Sequence, residues 1–220
     1  MRRRLLLAAV LAVLLLGGAL AAFALRGGDA PAPPALSQRP SATATAAGAQ
    51  PGAGTWEVVP GESFVGYRVR EQFATIGVVD AVGRTGEVTG TVRVTGDRLD
   101  EAELEARLDT LRSDESRRDN ALRTRGIETD SFPTAGFRLA GPVELTAKAA
   151  RAAGELTLHG VTQPIRVSVR GQRLGARAIE VVGSAPIAFD RFGIEPPSIA
   201  GFVTVRDTGT LEFRLRLRPA

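Results

Sequence analysis

The sequence has no cysteine and only one histidine, one tyrosine, one tryptophan and one methionine among its 220 residues. Without cysteine there is no disulfide framework, no acylated cysteine anchor, no thiolate nucleophile and no cysteine-ligated metal. A single histidine argues against zinc sites and histidine-based triads. No serine sits in a G-x-S-x-G elbow. A concentrated basic patch, which a phosphate-binding surface needs, is missing as well. From residue 55 onward, acids and bases balance at 23 each, and their signs alternate. The net charge of +4 comes entirely from Arg2, Arg3, Arg4, Arg26 and Arg39 set against Asp29. Lys148 is the only lysine, so the high isoelectric point reflects arginine usage rather than a nucleic-acid partner. No pair among the 23 acids stands out as a catalytic pair; Arg118-Asp119 and Arg206-Asp207 read as solvated or structural pairs.

One long apolar run is present. Residues 5–25 carry no charge and follow Arg2-Arg3-Arg4. At about 1.5 Å per residue, such a helix is long enough for a hydrocarbon core of about 30 Å. Two readings stand. In the first, residues 1–26 are a retained transmembrane anchor, with the positive cluster held in the cytoplasm. In the second they are a cleaved signal peptide, with an apolar core at 5–16, a break at Gly17-Gly18 and an A-x-A site at Ala22-Phe23-Ala24. Both place the remainder in the cell envelope, outside the cytoplasm: membrane-anchored on the first reading, periplasmic or secreted on the second. Residues 27–54 are rich in Ala, Pro, Gly, Ser and Thr and lack aromatics, so they read as a disordered linker.

From residue 55 the texture changes to period-two alternation, the mark of half-buried strands. Strands are expected at 55–59, 63–71, 86–95, 101–111, 136–140, 143–146, 177–189, 201–205 and 210–218. Leu211, Phe213, Leu215 and Leu217 alternate with Glu212, Arg214, Arg216 and Arg218 in the last of these. Residues 113–124 break the pattern and read as a short helix or ordered loop, with Ser113 able to cap it. Residues 154–170 form the best-defined hairpin. Leu156 and Leu158 share one face, and Ile165, Val167 and Val169 share another; the turn holds His159 and Gly160. His159 reads first as a turn residue tied to neighbouring backbone, and second as a ligand head-group contact. Some eight to ten antiparallel strands over about 165 residues need a closed barrel or a sandwich. Inward apolar side chains are required by a filled barrel and a hollow one alike.

The string L-T-L-H-G-V-T-x-P at Leu156–Pro164 resembles the signature hairpin of the YceI-like family of lipocalin-like, polyisoprenoid-binding proteins. The resemblance extends to Trp56, the strand Ser63-Phe64-Val65-Gly66-Tyr67-Arg68-Val69, the Ser113-Asp114 to Arg118-Asp119 segment, Phe132-Pro133-x-x-x-Phe137 and Phe192-Gly193-Ile194. It implies an all-β, antiparallel, eight-stranded lipocalin-like barrel over residues 55–220, with one short helix or loop insertion. It also implies export and an isoprenoid lipid, such as a quinone or polyprenyl lipid, held in the interior. By position, Val65, Tyr67, Val69, Phe132, Phe137, Leu156, Leu158 and Phe189 would contact the tail. No catalytic residue, metal or cofactor is expected, and the sequence leaves a homodimer open. Two other classes compete: an envelope structural or interaction module with a filled core, and an enzyme acting on an isoprenoid through an interior polar cluster including His159.

Overall fold

Each alternating strand has one apolar face that must be covered. The computed structural model describes residues 30–38, 53–73, 77–144, 149–175, 177–196, 198–199 and 203–220. There the sheet covers itself by curling closed. Its strands are β1 (Gly54–Val58), β2 (Phe64–Phe73), β3 (Gly77–Thr85), β4 (Val88–Thr95), β5 (Arg98–Arg107), β6 (Arg112–Ser113), β7 (Thr134–Leu139), β8 (Val143–Glu144), β9 (Ala150–Leu158), β10 (Val161–Arg173), β11 (Ile179–Ala188), β12 (Ser198–Ile199) and β13 (Val203–Pro219). The antiparallel path β1-β4-β5-β7-β9-β10-β11-β13 returns to β1, making an eight-stranded barrel. The expected all-β barrel with one short helix is therefore what the chain forms.

β13 is the spine. It pairs with β11 over 208–217 and with β2 over 203–214, and its last residues pair with β1 at Trp56–Val58. The register with β2 shifts between Val205 and Gly209, where a bulge lets the strand bend. What reads as two segments, 201–205 and 210–218, is thus one bent strand. β2 and β3 continue off the spine beside the ring, with β6 at their outer edge.

β3 has no counterpart among the expected strands. Ala81, Val82 and Gly83 are all buried in succession, so this strand is covered on both faces and shows no alternation. Helix α1 spans Ser116–Thr124, within the segment set apart by its composition. Its cap is Glu115, whose side chain accepts the Arg117 N–H, rather than Ser113. Ser113 is held in β6, where its N–H and hydroxyl both donate to Asp119.

The expected anchor or signal peptide falls on residues outside the described ones. Among the described residues, no helix is long and apolar enough to cross a membrane. The linker reading needs a correction at residues 33–38, which belong to the same compact unit as the barrel. Ser37 donates its N–H and its hydroxyl to the two oxygens of Glu180, at 2.7 Å each. Gln172 donates to both Glu180 and the Ser37 carbonyl, and Arg214 donates to the Ala35 carbonyl. Glu180 is fully buried on the outer side of β11, so its charge needs these partners. Composition sets the entropy of a segment but carries no trace of a partner 143 residues away.

This docking is pH-dependent. Burial alone would raise the Glu180 carboxyl; hydrogen bonds from Ser37 and Gln172 outweigh it and hold the group below its ordinary value of 4.5. A lowered carboxylate stabilises the fold above its ordinary value and loses that contribution as pH falls through the lower, folded one. The Ser37 amide is therefore expected to stay protected at neutral pH and to lose protection below about pH 4.5. The Glu180→Gln variant should lose it already at pH 7, at a cost of about 1–3 kcal/mol. Unchanged exchange in that variant would contradict the assignment.

Candidate functional site

The inward residues of the closed barrel are almost all aliphatic or aromatic. β13 supplies Leu211, Phe213, Leu215 and Leu217, while β10 supplies Val167 and Val169. Opposite them lie Val88 and Val92 of β4 and Phe137 and Leu139 of β7. Together they line an apolar cavity of about 90 Å³. From Leu211 to Leu217 the apolar wall runs roughly 20 Å along the strand, at about 3.3 Å per residue. A carbon-lined space of this kind favours an apolar chain over any charged ligand.

The aromatic rings near this cavity do not point freely into it. Each lies against a glycine of the neighbouring strand. Phe213 stands directly opposite Gly183, and a Cβ there would strike the Phe213 ring and the Ser168 carbonyl. A Cβ on Gly154 would strike Phe137, and one on Gly209 would come within 2.8 Å of Phe189. Tyr67 pairs with Gly83, and a Cβ on Gly83 would lie 2.8 Å from the Tyr67 hydroxyl oxygen. Glycine removes the side chain that would push each ring away from the wall. The bore is thus set by residues without side chains as much as by the rings.

Beyond Leu156 and Leu211 a second apolar cluster, Ile187, Phe192 and Ile194 with Phe189 and Leu158 beside it, occupies one end of the barrel. The His159-Gly160 turn sits at this end. Both residues have positive φ, +52° and +72°, which a two-residue hairpin turn of this hand requires. The His159 Nδ1 lies 3.0 Å from the Phe192 carbonyl, Nε2 lies 3.3 Å from Glu128, and the ring packs on Phe132 at 4.3 Å. With both ring nitrogens engaged, His159 ties the β9–β10 turn to the short 3-10 turn Phe189–Phe192.

Of the residues expected to contact a tail, Val65, Phe137 and Leu156 line the cavity. Tyr67 and Val69 lie on β2 beyond it. Leu158 and Phe189 pack in the end cluster, and Phe132 covers His159. The larger share of the lining comes from residues that the resemblance did not assign to the tail: Val88 and Val92 of β4, Val167 and Val169 of β10, Leu99, Val181 and the four inward residues of β13. The β13 residues carried a usable signal, since their alternation places Phe213 on the same face as three leucines.

A family model described as YceI-like domain matches residues 56–217. A polyisoprenoid binding domain from Saccharophagus degradans, implicated in plant cell wall breakdown, superposes with a TM-score of 0.58 at 20% identity, over 75% of this chain and 98% of that one. BcnA of Burkholderia cenocepacia gives 0.60 at 16% identity, over 72% and 98%. At these identities the likeness is one of fold. No curated protein sequence matches.

If glycines hold the rings against the wall, Gly154→Ala should cost about 1–3 kcal/mol through overpacking. Phe137→Leu in the same chain should recover part of that loss, read as a positive coupling between the two in urea denaturation. Strict additivity of the two substitutions would contradict the ring-on-glycine contact.

Proposed function

The chain belongs to the YceI-like family, and on that footing we propose that its barrel holds the polyisoprenoid tail of a quinone or polyprenyl lipid in the lumen, as an exported binding protein rather than an enzyme. The observation that carries this reading is the carbon-lined cavity running along β13 inside the closed sheet. The Saccharophagus degradans domain of the same fold, which is named for polyisoprenoid binding, supports it. Each buried methylene contributes about 0.8 kcal/mol, so a tail of several isoprene units needs no charged anchor. The 5–25 apolar run would keep the barrel near the membrane, raising its effective concentration at the lipid it loads. His159, engaged at both nitrogens, supports a structural role for the only histidine.

One observation favours a second reading. The cavity of about 90 Å³ is smaller than the roughly 150 Å³ that accommodates a benzene. A tail therefore enters by moving lining side chains, Phe137 and Phe213 among them. A barrel whose lining does not yield would instead be a filled-core envelope module.

Native mass spectrometry and organic extraction of protein prepared from its own host envelope decide between them. The lipid-binding reading expects a prenyl-bearing mass that leaves with the solvent. It also expects Ala152→Phe, which fills the lumen at a buried wall position, to remove that mass while the far-ultraviolet spectrum stays that of a β protein. Repeated preparations free of lipid would overturn it in favour of the filled core.

A further inference from the structure

Several arginines of the outer wall face an acid: Arg93 pairs with Glu101, Arg138 with Glu103 and Arg218 with Glu57. The β9–β10 hairpin departs from this. Arg151 of β9 stands opposite Ser168 of β10, and Arg166 and Arg170 lie two residues to either side of Ser168 on the same outer face. Arg151 and Arg166 are exposed, and Arg170 is half-buried. Among the described residues, none of the three guanidiniums has an ion pair or a hydrogen bond. Positions two apart on one strand face lie about 7 Å apart and opposite ones about 5 Å, so three long side chains can converge over Ser168. Ser184 of β11 extends the row, opposite Ser168. Along the chain the signs of charge alternate; the register of one hairpin gathers these three. Like charges this close repel, so the cluster costs stability unless an anion lies on it.

Two acids border the cluster. Glu155 faces Arg138 of β7, and Glu180 is held by Ser37 and Gln172. Three strands round the ring, β5 carries Glu101, Glu103 and Glu105 outward and exposed. The barrel is therefore electrically lopsided. The segment that precedes it lies beside the basic side. Gln172, next on the outer face after Arg170, donates to the Ser37 carbonyl. Arg214, in one row with Arg170 through Val182, donates to the Ala35 carbonyl. Pro33 belongs to the barrel's compact unit, and the apolar run ends at Leu25. The eight residue steps from Leu25 to Pro33 reach at most about 28 Å when fully extended. A run placed in a bilayer would hold this wall within that reach of the lipid surface.

We propose that Arg151, Arg166 and Arg170 form a docking face for an anionic bilayer surface, their guanidiniums taking lipid phosphates over Ser168 and Ser184. The barrel then lies with its β9–β10 wall on the membrane and its acidic β5 wall turned away. A guanidinium pairs with two phosphate oxygens at once, which suits a phosphodiester head group. A layer of such heads meets all three arginines together, whereas a nucleic acid needs a longer basic track. Each basic residue at an anionic leaflet is worth about fivefold in affinity, and three about a hundredfold. The proposal rests on the reading that residues 5–25 keep the barrel at the membrane.

The absence of native cysteine allows single labels to test it. Ala153→Cys stands opposite Arg166 beside the cluster, and Thr91→Cys stands opposite Glu103 on the acidic side. Each full chain, labelled with a fluorescent donor, is reconstituted in phosphatidylcholine vesicles with or without phosphatidylglycerol, carrying a head-group acceptor dye. In anionic vesicles, energy transfer should be several-fold higher from position 153 than from position 91. The difference should vanish in neutral vesicles, in salt of about 0.5 M, and in the Arg151→Gln, Arg166→Gln, Arg170→Gln triple variant. The melting temperature of that variant should hold or rise at low salt, since three like charges have been removed. Equal transfer from the two positions in anionic vesicles, or a difference that survives neutral lipid or the triple substitution, would overturn the face; flotation of the chain with the vesicles would leave the membrane reading intact. Flotation with anionic vesicles alone, and only with the arginines present, would uphold the face and overturn residues 5–25 as the anchor. A chain that floats with neither composition would overturn both.

Discussion

Closure of the sheet is the constraint on which the rest depends. β1 is only five residues long, yet it bonds to β4 on one side and to β13 on the other. Without it, β4 and the end of β13 would each present an open row of backbone donors and acceptors. Trp56, 2% exposed at the centre of β1, fixes this joint by packing into the main core. Once the cylinder is closed, every inward position faces another inward position. An apolar alternation that any half-buried sheet would need then becomes the wall of a lumen.

The outer wall is where the chain departs from simple alternation. Glu180 and Glu212 occupy outward positions and are nonetheless buried. Glu212 is covered by Arg68 at 3.2 Å and Arg84 at 2.7 Å, and Arg84 also lies over the Phe64 ring. Glu180 is covered by residues of the segment that precedes the barrel. Buried carboxylates kept in this way are a source of specificity more than of net stability, because desolvation consumes much of the attraction. They fix which strands and which segment lie against β11 and β13.

Much of this was legible in the residues. The alternation of β13 and of the 154–170 hairpin gave strand, face and turn, since a period of two has no other stable use in a globular domain. The helix was legible as a break in that period. β3 was not, because a strand covered on both sides loses its alternation. Neither was the docking of Ser37 on Glu180, nor the separation of the aromatics into Phe137 and Phe213 at the lumen and Phe132 at the histidine. Those depend on which residue of a distant strand is glycine, and on the turn at 129–131 that precedes β7. Alternation tells which side a residue faces; it does not tell how much room remains there. The volume of the lumen became visible only with all the strands in place.

The claim that an isoprenoid tail runs inside the barrel is tested most directly by magnetisation transfer between a bound prenyl chain and the methyl groups of the protein. Transfer from the prenyl methyls to Val169 and Leu215, both buried on the cavity wall, is the predicted result. Transfer confined to an outer residue such as Val78, which is 51% exposed, would contradict it and place any lipid on the surface of the barrel.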